Sequence, residues 1–258
     1  MMGAMSMDQM PDVSIIVPSF NASSTIAHTI DSVQAQTCKR WEMIIVDDCS
    51  TDDTRSIVQE RILSDKRIQL IMQSRNQGPA IARNTAMHAA RGRYIAFLDS
   101  DDLWLPEKLE HQLAFMAEKN AALSYTLYRQ FVEDGGLPGP VISLPDTFNY
   151  RQLLKNTGIA CLTVMVDRKI TGPVEMPRYR RAEDYALWLH ILKRGFVAHG
   201  LMEDLARYRI SINSLSSGKL GSIPWVWRVY RDNEKLNFPY AAWCLFNYGW
   251  NAYKKHRK

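Results

Sequence analysis

Apolar and polar positions alternate in two rhythms along the first hundred residues. Residues 13–17 form a short β-rich run that ends in a turn at 18–21. Ile26, Ile30 and Val33 then recur at helical spacing, behind Ser23 and Ser24 as candidate helix caps. The rhythm repeats: residues 43–46 predict a second strand leading into Asp47 and Asp48, and residues 50–53 offer caps for a helix running to Leu63. Residues 68–72 predict a third strand, about 78–90 a third helix, and 94–98 a fourth strand. Strands alternating with helices predict an α/β fold with a mainly parallel central sheet, whose ligands lie beyond the carboxyl ends of the strands. Function is therefore expected at residues 18–21, 47–48, 73–84 and 99–102, where polar residues follow each strand.

The second half is less regular. Residues 135–140, rich in Gly and Pro, predict a loop; residues 163–166 predict a further strand; and residues 183–193 predict a helix ended by Gly195. Without an internal repeat, a low-complexity tract or a clean linker, the chain divides into a flexible N-terminus (1–11), one folded unit (12–218) and a C-terminal amphipathic helical extension (219–258).

Composition narrows the class. A chain of 258 residues with 46% hydrophobic and 10% aromatic content buries a substantial core, which excludes a disordered or fibrous protein. Cys38, Cys49, Cys161 and Cys244 form no C-x-x-C pair; this argues against a disulfide framework or a zinc site and suits a reducing cytoplasm. Residues 1–10 lack the basic flank and apolar run of a signal peptide. The net charge of +5 is uneven, because residues 219–258 carry +6 and the rest −1. A body without a basic face argues against a nucleic-acid partner. In the extension, aromatic residues from Trp225 to Tyr253 are interleaved with Lys and Arg, yet no apolar run approaches the roughly 20 residues needed to span a bilayer. That mixture predicts peripheral contact with the inner face of the plasma membrane; core packing or a homodimer contact is the other use of the same aromatics.

Two acidic clusters carry the candidate chemistry. Asp99, Ser100, Asp101 and Asp102 crowd the end of the fourth predicted strand, and a divalent cation would offset their repulsion. Oxygen-only ligands favour Mg²⁺ or Mn²⁺ over zinc. Taken alone, Asp101 and Asp102 are better explained as caps of a helix at 106–119, with Pro106 in its first turn, because such acidic triplets are common in caps and turns. Glu183 and Asp184 fall in the first turn of the helix at 183–193, where the helix dipole favours ionised carboxylates; alone they account for no more than a stable helix start.

Four ordered blocks change this balance. They are residues 13–21 (VSIIVPSFN), 41–50 (WEMIIVDDCS), 76–84 (NQGPAIARN) and 94–102 (YIAFLDSDD), followed by 181–189 (RAEDYALWL), Tyr208-Arg209 and Ser214-Leu-Ser216. Together they closely resemble the family-2 glycosyltransferases over about residues 12–218, in particular short bacterial enzymes of O-antigen or capsule synthesis. The resemblance implies a GT-A fold, a nucleoside-diphosphate sugar donor (UDP- or GDP-sugar), an inverting mechanism and a lipid-linked glycan acceptor. It further implies that Pro18, Phe20 and Asn21 line the nucleotide pocket, that Asp48 accepts a hydrogen bond from the base, and that Arg83 faces the nucleotide or its phosphates. Asp99 and Ser100 would lie on the donor side, Asp101 would hold the metal with help from Asp102, Asp184 would be the catalytic base, and Glu183 would support the acceptor. Many relatives carry a histidine shortly after the Tyr-Arg pair, where this chain has Ser211. His28, His88, His111, His190 and His199 are scattered and are expected to be uninvolved.

Two other functions use similar parts. A nucleotidyl- or phosphotransferase also sets acidic clusters on an α/β sheet, but its basic triphosphate loop is missing; the presence of Asp48, Asp99, Asp101 and Asp184 together argues against a non-catalytic sugar-nucleotide binder. A dinucleotide-binding dehydrogenase is excluded, because residues 18–21 contain no glycine and no G-x-x-x-x-G-K occurs.

Overall fold

The computed structural model describes residues 10–132, 137–156, 159–210 and 222–255, with side chains through Ala252. The alternation of the first hundred residues becomes β1 (Val13–Ser19), α1 (Ile26–Gln34), β2 (Trp41–Asp47), α2 (Thr54–Ser64), β3 (Ile68–Met72), α3 (Pro79–Ala89) and β4 (Tyr94–Phe97). β1 pairs in parallel with β2 and β4, and β2 with β3. Ser19 stands opposite Asp47 and Ile16 opposite Phe97, so the segments that follow β1, β2 and β4 leave the sheet side by side along one edge.

Beyond β4 the sheet changes sense. The chain continues as β5 (Leu103–Trp104), α4 (Lys108–Lys119), β6 (Leu123–Phe131), β7 (Val141–Ile142), β8 (Thr147–Phe148), α5 (Tyr150–Leu153), β9 (Met165–Asp167), α6 (Arg168–Thr171), α7 (Glu183–Lys193) and β10 (Ala198–Arg209). The order is β3-β2-β1-β4-β9-β6-β10-β5, with β7 on β6 and β8 on β10. β9 is antiparallel to both β4 and β6, β10 is parallel to β6, and β5 is antiparallel to β10. The parallel arrangement expected of the sheet thus holds in β1 to β4 and between β6 and β10, with β9 inserted against it.

Period-two alternation in the strands divides the core between the two faces of the sheet. On one face Val13, Ile15 and Val17 of β1 pack with Ile26, Ile30 and Val33 of α1 and with Leu109 and Met116 of α4. On the other, Ile16, Ile44, Val46 and Phe97 pack with α3 and with the nearly continuous apolar face of α7. The same core takes in the C-terminal elements α8 (Ile223–Arg228), a π-helical turn at Val229–Asn233 and α9 (Phe238–Lys255). Val226, Val229, Tyr230, Ala241 and Cys244 are fully buried there, and the Tyr230 hydroxyl donates to the Leu154 carbonyl at 2.5 Å. Much of the extension's apolar surface is therefore core of the one folded unit; the 218/219 boundary and residues 1–9 lie outside the described residues. All four cysteines are free thiols.

Local detail departs from the expected caps. α1 starts after Thr25, whereas Ser23 uses its backbone N–H to donate to Asp52 Oδ2 at 3.0 Å. Asp52 also accepts from the Thr54 N–H at 3.1 Å, so this one carboxylate ties the starts of α1 and α2 together. α4 starts after Glu107, which leaves Asp101 and Asp102 out of any capping role.

Candidate active site

The edge beyond β1 and β2 is laced by side-chain to backbone bonds. Pro18 is half-buried, Phe20 is exposed, and Asn21 takes the left-handed conformation with φ 49°. The Asn21 N–H donates to Ser50 Oγ at 2.9 Å, and Asn21 Oδ1 accepts from the Thr51 N–H at 2.9 Å, which locks the loop after β1 to the loop after β2. Asp47 is buried beneath them and accepts from Arg55 Nε at 2.6 Å. Asp48, also buried, accepts the Gln77 N–H at 2.8 Å on Oδ1 and the Gly78 N–H at 2.7 Å on Oδ2. It thereby fixes the approach to α3, where Gly78 has φ 88°, a conformation that side chains with a Cβ rarely adopt. Each Asp48 oxygen retains a second lone pair beyond the bond it accepts.

The segment after β4 is held from both sides. The Ser100 carbonyl accepts from Thr25 Oγ1 at 2.9 Å and Thr29 Oγ1 at 3.0 Å, and Thr29 Oγ1 also reaches the Asp102 carbonyl at 3.0 Å. From β10, the Arg209 N–H donates to Asp102 Oδ1 at 2.8 Å and Arg209 Nε to the Asp101 carbonyl at 2.6 Å. These bonds force three carboxylates into a small volume. Burial, reinforced by the neighbouring Asp99 charge, pushes the Asp101 carboxyl up to about 6. Burial and the charges of Asp101 and Asp99 push Asp102 well above the ordinary carboxylate range. Asp102 Oδ2 is buried with no hydrogen-bond partner among the described residues. A buried, unpartnered carboxylate oxygen next in sequence to Asp101 is the type of ligand a hard divalent cation takes, although among the described residues no three His, Cys, Asp or Glu side chains are grouped so as to hold a metal ion by themselves.

α3 and α7 bring in the remaining residues. Arg83, buried on α3, donates through Nη2 to Asp99 Oδ1 at 2.5 Å and through Nη1 to Glu183 Oε1 at 2.6 Å. Burial opposes its charge, yet Asp99, Cys161, Glu183 and Asp184 hold its pKa well above the ordinary value. α7 begins abruptly after Ala182, which has φ 61° although it carries a Cβ. That left-handed residue costs about 1 kcal/mol and turns the chain so that Glu183 and Asp184 open the helix at this edge. Asp184 Oδ1 accepts the Tyr185 N–H at 2.7 Å. Burial, then the Glu183 charge, pushes the Asp184 carboxyl up to about 7, against the pull of Arg83.

The structure therefore gathers Arg83, Asp99, Glu183 and Asp184 into one electrostatic cluster, with Asp101 and Asp102 two and three residues from Asp99 and with Pro18, Phe20, Asn21 and Asp48 along the same sheet edge. Arg83 and Glu183, expected on the nucleotide and on the acceptor respectively, are bonded to each other. Arg209, Thr25 and Thr29 position the acidic segment, roles that do not show in the sequence alone; the i, i+4 threonines at the cap and in the first turn of α1 were the available signal. Asn84, next to Arg83, holds Met176 with its side-chain amide: Nδ2 donates to the Met176 carbonyl at 2.9 Å and Oδ1 accepts the Met176 N–H at 2.8 Å. His88 and His111 make exposed pairs with Glu175 and Glu203, apart from the cluster. Ser211, Ser214 and Ser216 lie outside the described residues.

Known proteins similar to this chain in sequence and fold include glycosyltransferases. The sequence pattern of Glycosyl transferase family 2 matches residues 14–170. The chain is 49% identical over 245 residues to the teichuronic acid biosynthesis glycosyltransferase TuaG of Bacillus subtilis, spanning 95% of this chain and 97% of the relative. It is 41% identical over 253 residues to the Escherichia coli UDP-Glc:alpha-D-GlcNAc-diphosphoundecaprenol beta-1,3-glucosyltransferase WfgD, spanning 95% and 94%. Among solved structures, the mannosyltransferase PcManGT of Pyrobaculum calidifontis, in complex with GDP-Man and Mn²⁺, superposes with a TM-score of 0.70 at 18% identity over 92% of this chain and 69% of that one. S. aureus TarS in complex with UDP-GlcNAc superposes with a TM-score of 0.66 at 23% identity, over 85% of this chain and 64% of that one. The fold is GT-A. By this match of pattern, sequence and fold, the chain belongs to glycosyl transferase family 2.

Proposed function

We propose that this glycosyltransferase moves a hexose, with inversion of its anomeric carbon, from a UDP- or GDP-sugar to a glycan carried on a polyprenyl diphosphate, in the assembly of a bacterial cell-surface polysaccharide. The observation that carries the reading is Asp184, a carboxylate raised to about 7 at the start of α7 and within the electrostatic reach of Asp99 and Arg83. A base with that pKa accepts a proton near neutral pH without being so weak that it cannot drive the transfer. The acceptor class is supported by the name of WfgD, and the polysaccharide context by that of TuaG.

In the proposed reaction the acceptor hydroxyl gives its proton to the Asp184 carboxylate as its oxygen bonds to the anomeric carbon. The bond from that carbon to the diphosphate oxygen breaks on the opposite face of the sugar. Phe20 and Pro18 offer the base an apolar surface, Asn21 and Asp48 offer it polar atoms, and Asp99 and Ser100 meet the donor. Asp101, with the unpartnered Asp102 Oδ2 beside it, would hold Mn²⁺ or Mg²⁺, which when bound supplies positive charge to the leaving diphosphate. Arg83 and Glu183 are positioning residues: they tie Asp99 on β4's end to the helix that presents Asp184. An acceptor embedded in a bilayer places the working enzyme at the inner face of the plasma membrane, in peripheral contact through the C-terminal extension. Among the described residues no helix is long and apolar enough to cross a membrane.

The test is incubation with α-linked UDP-Glc, UDP-GlcNAc and GDP-Man, Mn²⁺ and a short-chain GlcNAc-diphosphate lipid. Transfer with a β-linked product and release of nucleoside diphosphate is expected; an α-linked product removes the inverting mechanism, and release of nucleoside monophosphate removes sugar transfer.

A further inference from the structure

α9 has two faces of unlike fate. Ala241 and Cys244 are fully buried, and Tyr248 packs its ring 5.8 Å from that of Tyr185, so this face is seated on the core beside the first turn of α7. The opposite face carries Trp243 at 54% exposure, Phe246 at 66% and Trp250 at 50%, with Phe238 at 63% at the start of the helix. Spacings of three and four align the last three along one stripe, and Trp243 and Phe246 stack at 6.4 Å with an interplanar angle of 22°. A contiguous exposed aromatic stripe of this size marks an interaction surface.

We propose that the outer face of α9 docks on an anionic lipid bilayer. Charge selects this occupant. From Lys235 to the C-terminus the sequence contains Lys235, Lys254, Lys255, Arg257 and Lys258 and no Asp or Glu. Aromatic rings prefer the boundary between headgroup and acyl chain, and each Lys or Arg near an anionic surface adds about 1 kcal/mol. A second copy of the chain set face to face on the same stripe would instead bring two like-charged segments together, which is unfavourable. The geometry also serves the reaction. The seated face of α9 adjoins Tyr185, the neighbour of Asp184, so roughly one helix diameter of about 10 Å separates the lipid-facing stripe from the base. The purpose assigned here rests on the lipid-borne acceptor proposed above, whereas the docking itself does not.

The experiment uses the full chain, a Trp243→Ser/Phe246→Ser/Trp250→Ser variant and a Lys254→Glu/Lys255→Glu variant. Each is sedimented with phosphatidylcholine vesicles and with vesicles containing about one third phosphatidylglycerol, at low and high salt. Brominated lipid reports tryptophan insertion, and light scattering reports oligomeric state. The full chain is expected to bind the anionic vesicles in a salt-sensitive way with its fluorescence quenched. The aromatic variant should bind at least about tenfold more weakly and lose the quenching, because three large side chains no longer leave water. It should still transfer sugar to a water-soluble short-chain acceptor, since none of the three residues belongs to the site. The lysine variant should lose its preference for phosphatidylglycerol. Absence of vesicle binding by the full chain, equal binding by the aromatic variant, or a dimer that this variant converts to monomers would overturn the proposal. Vesicle binding without any sugar transfer would remove the acceptor reading and still uphold the docking surface.

Discussion

Arg83 Nη1 stands 2.6 Å from Glu183 Oε1 across a hundred residues of chain, and the second arm of the same guanidinium stands 2.5 Å from Asp99. One buried cation thus couples the end of β4 to the start of α7, the two places where the acidic clusters lie. Its removal leaves carboxylates without compensation, so Arg83→Met is expected to destabilise the fold by about 3–5 kcal/mol. Arg83→Lys should recover part of this, since an ammonium neutralises charge but cannot bridge both acids in a fixed fork. Urea unfolding of the three proteins checks the order; an Arg83→Met protein as stable as the parent would remove the pair's structural role.

The raised Asp184 carboxyl sets a pH dependence. As the base it must be ionised, so kcat/KM should fall as pH drops through about 7, and Asp184→Asn should lose about 10²- to 10⁴-fold in rate with donor binding within a few fold. Glu183→Gln deletes a negative charge that raises Asp184 and frees Arg83 to lower it, so the acid limb should move to lower pH. Stability runs the other way. A folded-state pKa raised from 3.8 to about 7 gives stability that is full below pH 4 and lost as pH rises through 7. Asp184→Asn should therefore be more stable than the parent at pH 8, by an amount on the order of 1–3 kcal/mol. pH-rate profiles and melting curves in the same buffers test both limbs.

Asp101 and Asp102 hold protons more tightly than ordinary carboxyls, and a cation would reverse that by stabilising their charged forms. Excess EDTA is expected to abolish turnover, and Mn²⁺ or Mg²⁺ to restore it. Asp101→Ala should weaken Mn²⁺-dependent donor binding and lower the rate by about 10³-fold, the equivalent of several kcal/mol of charge stabilisation. Full activity in EDTA would dispose of the metal; a silent Asp101→Ala beside an inactive Asp99→Ala would reassign the ligand.

Residues 13–98 were legible from several signals: α1 buries Ile26, Ile30 and Val33 at helical spacing, β2 is an apolar run buried throughout, and α2, which buries only Thr54 and Val58, was marked by the polar residues before it; α7 follows its predicted span because its start is acidic and its body apolar. β10 hides its period: register shifts between Leu201, Asp204 and Ala206 break the alternation, and Met202 and Glu203 bulge toward solvent. The acidic segment after β4 was readable as a crowd of charges. Its restraint by Arg209 and Thr29 was not, because those partners lie about seventy or more residues away. For Arg83 the helix was predictable and the side chain's destination was not, since an arginine about one turn into a helix carries no local mark of the glutamate it meets. In the extension the mixture of aromatics was visible, but which of them turn inward is decided by the seat that Tyr185 and Leu154 provide.

Lys108 offers a test of the fold that is independent of the reaction. Its side chain is fully buried under α4, with Nζ 2.7 Å from Gln112 Oε1 and 4.1 Å from the centre of the Trp104 ring. Neither neighbour carries a charge, so burial pulls the amine down to about 7. The unfolded chain binds this proton up to about pH 10 and the folded chain only up to about 7, so between those values the group makes folding more favourable as pH rises. Below pH 7 the ammonium is charged in both states and the fold carries the full cost of desolvating it. Lys108→Met keeps the aliphatic volume against Trp104 and removes that cost. It is expected to stabilise the protein at pH 6.5 by an amount on the order of 1–3 kcal/mol, after allowing for the lost Gln112 bond and cation–π contact. The gain should shrink steadily toward pH 9, where the parent lysine is already neutral when folded. Urea midpoints of parent and variant at pH 6.5, 8 and 9 check this; a constant difference across the series, or a variant weakest at pH 6.5, would mean that Lys108 keeps its charge in the core.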